Sequence, residues 1–195
     1  MTGKTKKSRP VAKCARWMTA VLIGCLLFFH SPSTPAGPVI GPEYDVKLGF
    51  IWNFANFVTW PSTVFNDNPD VLVFCFASED PSASVFYKLD GKKVHGKTIK
   101  VIAYKDGSCI EQSNILFFAT QNKVLIQQAL DLAKGRSILT IGEVDGFTRM
   151  GGIINFFKER NRLRFEVNID AARREGLKMS AQLLGSAQIV KEETP

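Results

Sequence analysis

The sequence has little of the chemistry on which most metal proteins and enzymes depend. Its 195 residues include two histidines and four cysteines, and beyond residue 36 only His95, Cys75 and Cys109 remain. His95 has no second histidine or cysteine near it at the spacing of metal ligands, which argues against a metal site. No Gly-x-Gly-x-x-Gly after the first strand and no Gly-x-Ser-x-Gly elbow is present.

Cysteine–histidine catalysis is also disfavoured. It would require Cys75 or Cys109 to act as a thiolate beside His95, but Cys75 lies within an apolar run, where a thiol is inert. The sequence therefore predicts a protein that is not an enzyme and that needs neither a cofactor nor a metal.

The first 36 residues have the composition of an export signal. Residues 1–16 carry six basic residues and no acid, residues 17–29 form a short apolar run, and a Pro/Gly/Ser-rich spacer follows. This order predicts a signal peptide over 1–36, cleaved after Ala36, and one folded domain over 43–191. The segment Leu22-Ile23-Gly24-Cys25 offers an alternative, lipidation at Cys25, but the apolar run continues past that cysteine and favours ordinary cleavage.

Removal of the leader changes the charge of the protein. The full chain has 25 basic and 18 acidic residues, a net charge of +7. Without the six leader bases, 19 basic residues face 18 acidic ones, a net charge of +1. The basic balance thus belongs to the leader and gives no reason to expect a nucleic-acid partner.

The exported domain keeps two cysteines, Cys75 and Cys109, because Cys14 and Cys25 lie in the leader. An even pair in an oxidising compartment predicts a disulfide. The alternative interpretation is that Cys75 and Cys109 are buried separately as free thiols.

Hydrophobic periodicity predicts alternating helices and strands up to residue 142. One apolar stripe on the first helix would contain Val46, Phe50, Ile51, Phe54, Phe57 and Val58. The predicted elements are a helix Glu43–Trp60, a strand Val71–Ala77, a short helix to Leu89, strands Lys97–Tyr104 and Asn114–Thr120, a helix Gln121–Ala133 and a strand Ser137–Gly142.

The last third of the chain predicts a different unit. An apolar run, Ile153–Phe157, and a run that alternates polar and apolar residues, Arg164–Asn168, flank a charged turn, and this order predicts a hairpin. A helix over Ser180–Val190 is expected to close the chain. We therefore predict a single α/β domain with a mixed, mostly parallel sheet, helices on both faces, and a C-terminal β-hairpin plus helix.

Four carboxylates follow two of the predicted strands. Glu79 and Asp80 come after the first strand, and Glu143 and Asp145 come after the fourth. The carboxyl edge of an open α/β sheet is where ligands bind, so these residues form a candidate ligand rim. The alternative is that they are ordinary helix-start and turn residues.

Two blocks of sequence resemble the YfiR family. The first is the helical run that ends in Asn53-Phe54-Ala55-Asn56-Phe57-Val58-Thr59-Trp60-Pro61. The second comprises Gly151-Gly152-Ile153-Ile154-Asn155-Phe156 and Arg164-Phe165-Glu166-Val167-Asn168. The resemblance extends from Val46 to Val190, and it implies a periplasmic α/β protein without enzymatic activity. In that family a strand cysteine and a second cysteine before the next strand recur. Cys75 matches the first, whereas Cys109 stands farther from its strand than usual.

The resemblance also implies a function and partners. The protein would restrain an inner-membrane diguanylate cyclase through the periplasmic region of that enzyme and so lower cyclic di-GMP signalling and biofilm formation. An outer-membrane, peptidoglycan-binding lipoprotein is a second implied partner. The sequence does not fix the oligomeric state, and a homodimer is one alternative. A periplasmic small-molecule sensor is the alternative function. An exposed apolar patch for the partner is expected at Phe147, Leu183, Leu184 and Ile189.

Overall fold

Alternating helices and strands build the domain in the computed structural model, which describes residues 41–191. The predicted leader, including Cys25, therefore lies outside the described residues. The α-helices are α1 (Gly41–Phe57), α2 (Lys123–Ala133), α3 (Ile169–Arg174) and α4 (Ala181–Gly185). The strands are β1 (Val58–Thr59), β2 (Val71–Ser78), β3 (Lys93–Val94), β4 (Lys97–Ala103), β5 (Ile115–Ala119), β6 (Leu139–Gly142), β7 (Ile154–Glu159), β8 (Arg162–Asn168), β9 (Lys178–Met179) and β10 (Gln188–Val190).

The main sheet has eight strands in the order β10-β8-β7-β6-β5-β2-β4-β3. Its five central strands, from β7 to β4, run parallel to one another, and β3 and β8 are antiparallel to their central neighbours. A 3₁₀ helix, Pro81–Leu89, connects β2 to the β3–β4 hairpin, and α2 connects β5 to β6. The predicted mixed, mostly parallel sheet is confirmed.

Each face of the sheet has its own hydrophobic core because successive strand residues point to opposite faces. Along β2, Leu72, Phe74 and Phe76 pack with α1 and the 3₁₀ helix. Cys75 and Ala77 point to the other face and pack with α2. Helices therefore cover both faces, as predicted. Among residues 41–191, no helix is both long and apolar enough to cross a membrane.

The first helix ends earlier than predicted. Helix α1 stops at Phe57, and the next two residues form β1, which pairs antiparallel with β9. The carbonyl of Phe57 accepts a hydrogen bond from the Ser180 amide at 2.9 Å. Pro61 was expected to end the helix, but the helix ends three residues before Trp60. The β-branched pair Val58-Thr59 is extended and pairs in this small sheet.

The predicted apolar stripe of α1 is partly wrong. Val46 is 50% exposed, whereas Lys47 is only 4% exposed. The buried face of α1 contains residues three or four apart along the helix, namely Tyr44, Lys47, Ile51, Phe54 and Ala55. A lysine thus occupies a core-facing position, which periodicity of apolar residues alone does not reveal.

The predicted hairpin is confirmed. Strands β7 and β8 pair antiparallel with Glu159 opposite Arg162, so Arg160 and Asn161 form a two-residue turn. Both turn residues have positive φ, 48° and 62°, as a type I′ turn requires.

The long C-terminal helix is wrong. Ser180 caps α4 by accepting the Leu183 amide at 3.2 Å, but the helix ends at Gly185. Residues 188–190 then form β10, which pairs parallel with β8 at the sheet edge. The β-branched residues Ile189 and Val190 fit an extended edge strand better than a helix.

Candidate functional site

The four predicted rim carboxylates lie at the carboxyl ends of β2 and β6, which flank β5. They have different roles. The Asp80 carboxylate accepts hydrogen bonds from the amide and hydroxyl of Ser82, at 2.8 and 2.7 Å, and caps the 3₁₀ helix. These bonds hold the pKa of Asp80 below its usual value. Glu79 is exposed. Asp80 is therefore a helix-start residue, which was the alternative interpretation of the sequence.

Glu143 belongs to a cluster of charges that the sequence did not reveal. Its carboxylate lies 2.6 Å from the Lys47 ammonium, which also lies 2.7 Å from Glu43. Lys158, on β7, pairs with Glu43 at 2.6 Å. We call these four residues, Glu43, Lys47, Glu143 and Lys158, the ionic cluster. It joins the start of α1 to the carboxyl edge of the sheet.

Burial explains why Lys47 needs two carboxylates. An ammonium taken out of water is stable only when it is paired and hydrogen-bonded. Burial raises the pKa of Glu143 above its usual value, and the hydrogen bond from Lys47 offsets this only in part. Burial alone would also raise the pKa of Glu43, but hydrogen bonds from Lys158 and Lys47 outweigh it and the pKa is lowered.

Tyr44 completes this edge of the sheet. Its hydroxyl donates to Glu143 at 3.4 Å, and its ring meets Phe86 edge-on with 5.5 Å between centroids. Burial, together with the nearby carboxylates of Glu143 and Asp80, raises the pKa of the Tyr44 phenol well above its usual value. The phenol therefore remains a neutral hydrogen-bond donor.

A pocket of about 360 Å³ opens beside the ionic cluster. Glu143 and Asp145 both line it, whereas Glu79 and Asp80 are not among its lining residues, so the structure brings together half of the predicted rim. Within the described chain, Asp145 is exposed and forms neither an ion pair nor a hydrogen bond. The cluster itself has two ammonium groups and two carboxylates, and its charges neutralise one another. It is suited to anchoring α1 more than to chemistry.

A metal site is not found in the part of the chain that the structure describes. No group of three histidine, cysteine, aspartate or glutamate side chains there lies close enough to hold an ion. His95 is exposed at the β3–β4 turn, far in the fold from the carboxyl edge.

The predicted disulfide is present. Cys75 on β2 is bonded to Cys109, which precedes the 3₁₀ helix Ile110–Gln112. Their Cα atoms are 6.3 Å apart, and both residues lie in the core on the α2 face. The bond therefore ties the loop after β4 to the centre of the sheet.

The expected partner-contact residues do not form an exposed patch. Phe147 is fully buried on the α2 face, and Leu183 is 3% exposed in the core on the α1 face. Leu184 packs against that core, and only Ile189, at 40%, is exposed.

Two glycines explain the burial of Phe147. A Cβ atom at Gly142 or Gly152 would lie 2.4 or 2.1 Å from the Phe147 ring. The ring therefore fits between the end of β6 and the segment that precedes β7 only because both residues lack a side chain. The preceding Gly151 has a φ of +97°, a backbone conformation that favours glycine.

Exposed apolar side chains occur instead on α2. Val124 is 68% and Leu132 55% exposed. They lie eight residues apart and so share one face, opposite the buried stripe of Ile126, Ala129, Leu130 and Ala133. Their position outside that stripe is the sequence signal that could have identified them.

Comparison with known proteins gives one strong match. A family model described as YfiR/HmsC-like matches residues 44–188, most of the chain. Proteins of this family are periplasmic, non-catalytic regulators. A solved structure of a conserved domain protein from Vibrio cholerae O1 biovar El Tor strain N16961 is 12% identical, with a TM-score of 0.43. The match covers 67% of this chain and 58% of that one. No curated protein matches the sequence.

Proposed function

Because the chain belongs to the YfiR/HmsC-like family, we propose that it is a non-enzymatic periplasmic regulator that restrains an inner-membrane diguanylate cyclase by direct contact. The family match over residues 44–188 carries the proposal, since it spans nearly all of the folded domain.

Exposure of large hydrophobic side chains favours the outer face of α2 as the surface that contacts the cyclase. Val124 and Leu132 are the most exposed large hydrophobic side chains among the described residues. Gln128, which is also exposed, lies between them, one turn from each on the same face, so apolar and polar side chains alternate along this surface. Non-obligate protein interfaces are about as apolar as the rest of a protein surface, so a mixed surface of this kind suits a reversible contact.

Restraint of the cyclase would follow from preferential binding. If the protein binds the inactive conformation of the periplasmic region more tightly than the active one, it shifts the population toward the inactive form. A shift from mostly active to mostly inactive requires a roughly 10⁴-fold difference in affinity. Sequestration by an outer-membrane, peptidoglycan-binding lipoprotein would reverse it by mass action, and a homodimer is compatible with this scheme.

Gene deletion tests the proposal. Loss of the gene should raise cellular cyclic di-GMP and biofilm formation, and inactivation of the cyclase in the same strain should abolish the increase. Unchanged cyclic di-GMP in a strain that normally expresses the gene would overturn the regulatory function.

Complementation tests the surface. The variant Val124→Ser/Leu132→Ser should fail to restore low cyclic di-GMP at equal periplasmic protein level. The control Val46→Ser changes an exposed apolar residue on α1 and should complement fully. Ile189→Ser tests the one exposed residue of the patch expected from the sequence. Failure of Ile189→Ser with normal function of the α2 variant would assign the contact to β10 instead.

A small-molecule sensor is the second candidate function. The pocket beside the ionic cluster supports it, because Asp145 provides a carboxylate there that is unpaired within the described chain. A deletion strain with unchanged cyclic di-GMP would favour this function over the first.

A further inference from the structure

A second pocket lies at the opposite edge of the sheet, beside the amino-terminal ends of β2 and β4. Its volume is about 250 Å³. Pockets for drug-sized ligands begin at about 300 Å³, so this one suits a smaller molecule with a single ring. The lining residues are Thr59, Trp60, Phe65, Leu72, His95 and Lys97.

The apolar walls of this pocket are fixed in place. The Trp60 indole donates to the carbonyl of Asn114 at 3.2 Å, and the side chain of Asn114 accepts the Val73 amide at 2.7 Å. Phe65 stands edge-on to Trp60, with 6.5 Å between centroids and 72° between planes. Leu72 is fully buried in the core beneath them. A flat apolar ligand would therefore meet a preformed surface.

The rim of this pocket contains a cation without a carboxylate partner. The Lys97 ammonium lies 4.0 Å from the centroid of the Phe65 ring and donates to the carbonyl of Pro69. Within the described chain Lys97 forms no ion pair, although Asp67 and Asp70 stand in the preceding loop. A half-buried ammonium held by an aromatic face and one carbonyl can still accept an anion.

We propose that this pocket binds a small aromatic carboxylate. The ring would lie against Trp60 and Phe65, where edge-to-face and offset contacts between rings are favourable. The carboxylate would pair with Lys97, and His95 on the rim would supply a second nitrogen donor. This site is independent of the α2 surface and of the proposed cyclase partner, so either can fail without the other.

Titration of benzoate into the mature, disulfide-bonded protein tests the proposal, with binding followed by ¹⁵N NMR. The indole N–H signal of Trp60 and the amides of residues 95–97 should shift and saturate, with a Kd of about 1 mM, typical for so small a ligand. Benzamide has the same shape without the charge and should bind at least about tenfold more weakly. Cyclohexanecarboxylate keeps the charge but not the aromatic ring and should also bind more weakly.

A lysine variant and its control locate the anion. Lys97→Met keeps the methylene stem over Phe65 and should weaken benzoate binding about tenfold. Lys93→Met removes an exposed lysine from neighbouring β3, outside the pocket, and should leave it unchanged. Equal binding of benzoate and benzamide, shifts centred on Glu143 and Asp145, or no saturation would each overturn the proposal. The comparison of the two ligands on the unmodified protein decides the matter even if Lys97→Met does not fold.

Discussion

At the scale of single residues, the Phe147 ring shows how closely the sheet and its following turn fit. The ring is fully buried and lies 5.8 Å from Phe118, centroid to centroid. It reaches this position only because Gly142 and Gly152 leave the two backbones bare. Gly152, the second glycine of the Gly-Gly pair, is thus required by the packing of an aromatic residue five positions earlier, whereas Gly151 is required by its φ of +97°.

Gly152→Ala should destabilise the protein by about 1–3 kcal/mol, because the added methyl group would overlap a buried ring that has no free space to enter. Chemical denaturation measures the loss. Gly49→Ala is the control: it lies in α1, where a Cβ meets nothing within 4 Å. That change should stabilise the protein by up to about 1 kcal/mol through helix propensity. A neutral effect of Gly152→Ala would contradict the close fit around Phe147.

Lys47 is the second residue whose environment makes a sharp prediction. Lys47→Met leaves the Glu143 and Glu43 carboxylates without their buried cation and should lower stability by about 3–5 kcal/mol. Glu143→Gln should cost less, because Glu43 still pairs with Lys47 and the amide oxygen can still accept a hydrogen bond. The double variant should be more stable than Lys47→Met alone. Urea denaturation of the four proteins checks this order, and strictly additive losses would show that the two residues do not interact.

The raised pKa of Glu143 adds a dependence on pH. The folded protein binds a proton at this carboxyl group at a higher pH than the unfolded chain, whose usual pKa is 4.5. Ionisation of Glu143 therefore lowers stability as the pH rises through the interval above 4.5. The stability of the wild type relative to Glu143→Gln should increase as the pH falls from neutral toward that value. Denaturation curves of both proteins across this range give the answer, and a constant difference would contradict the raised pKa.

At the scale of elements, the disulfide joins a central strand to a loop with little regular structure. Cys75 and Cys109 are 34 residues apart in sequence. Closing a loop of this size restricts the unfolded chain, so Cys75→Ala/Cys109→Ala should lose about 2–4 kcal/mol. Guanidinium denaturation with and without reductant is the measurement. Reductant should shift the wild type toward the variant and leave the variant unchanged; a wild-type curve insensitive to reductant would count against the bond.

The C-terminal segment shows how pairing overrides local pattern. Residues 180–190 have enough apolar positions to suggest one helix, but only 181–185 are helical. Strand β10 instead extends the sheet beyond β8. In the same way, β1 leaves α1 to pair with β9. In both cases a short β-branched pair finds backbone partners that a helix end would lack.

At the scale of the whole molecule, the excess of basic residues and the folded domain lie in different parts of the chain. The basic excess lies in residues 1–36, and the domain beyond them is nearly neutral, at +1. The mature protein should therefore begin near Gly37 and be recovered from the periplasm. N-terminal sequencing checks this. A mature chain that starts with a lipid-modified Cys25 would contradict cleavage after Ala36 and show that the protein is exported as a lipoprotein.

The sequence by itself determined the features that depend on neighbours along the chain. Strand β2, the β7–β8 hairpin, the helix start at Asp80 and a mostly parallel sheet follow from local periodicity and turn chemistry. The cysteine pair also followed, because two cysteines allow only one intramolecular disulfide.

Only the tertiary structure decided which distant groups meet. Lys47 finds Glu143 across 96 residues, and no local pattern marks a lysine as a core residue. Phe147 and Leu183 are as apolar as Val124 and Leu132, yet the first two are buried and the last two exposed. Apolar character favours burial, but which apolar side chains are covered depends on which elements pack together, and that choice is made by the fold as a whole.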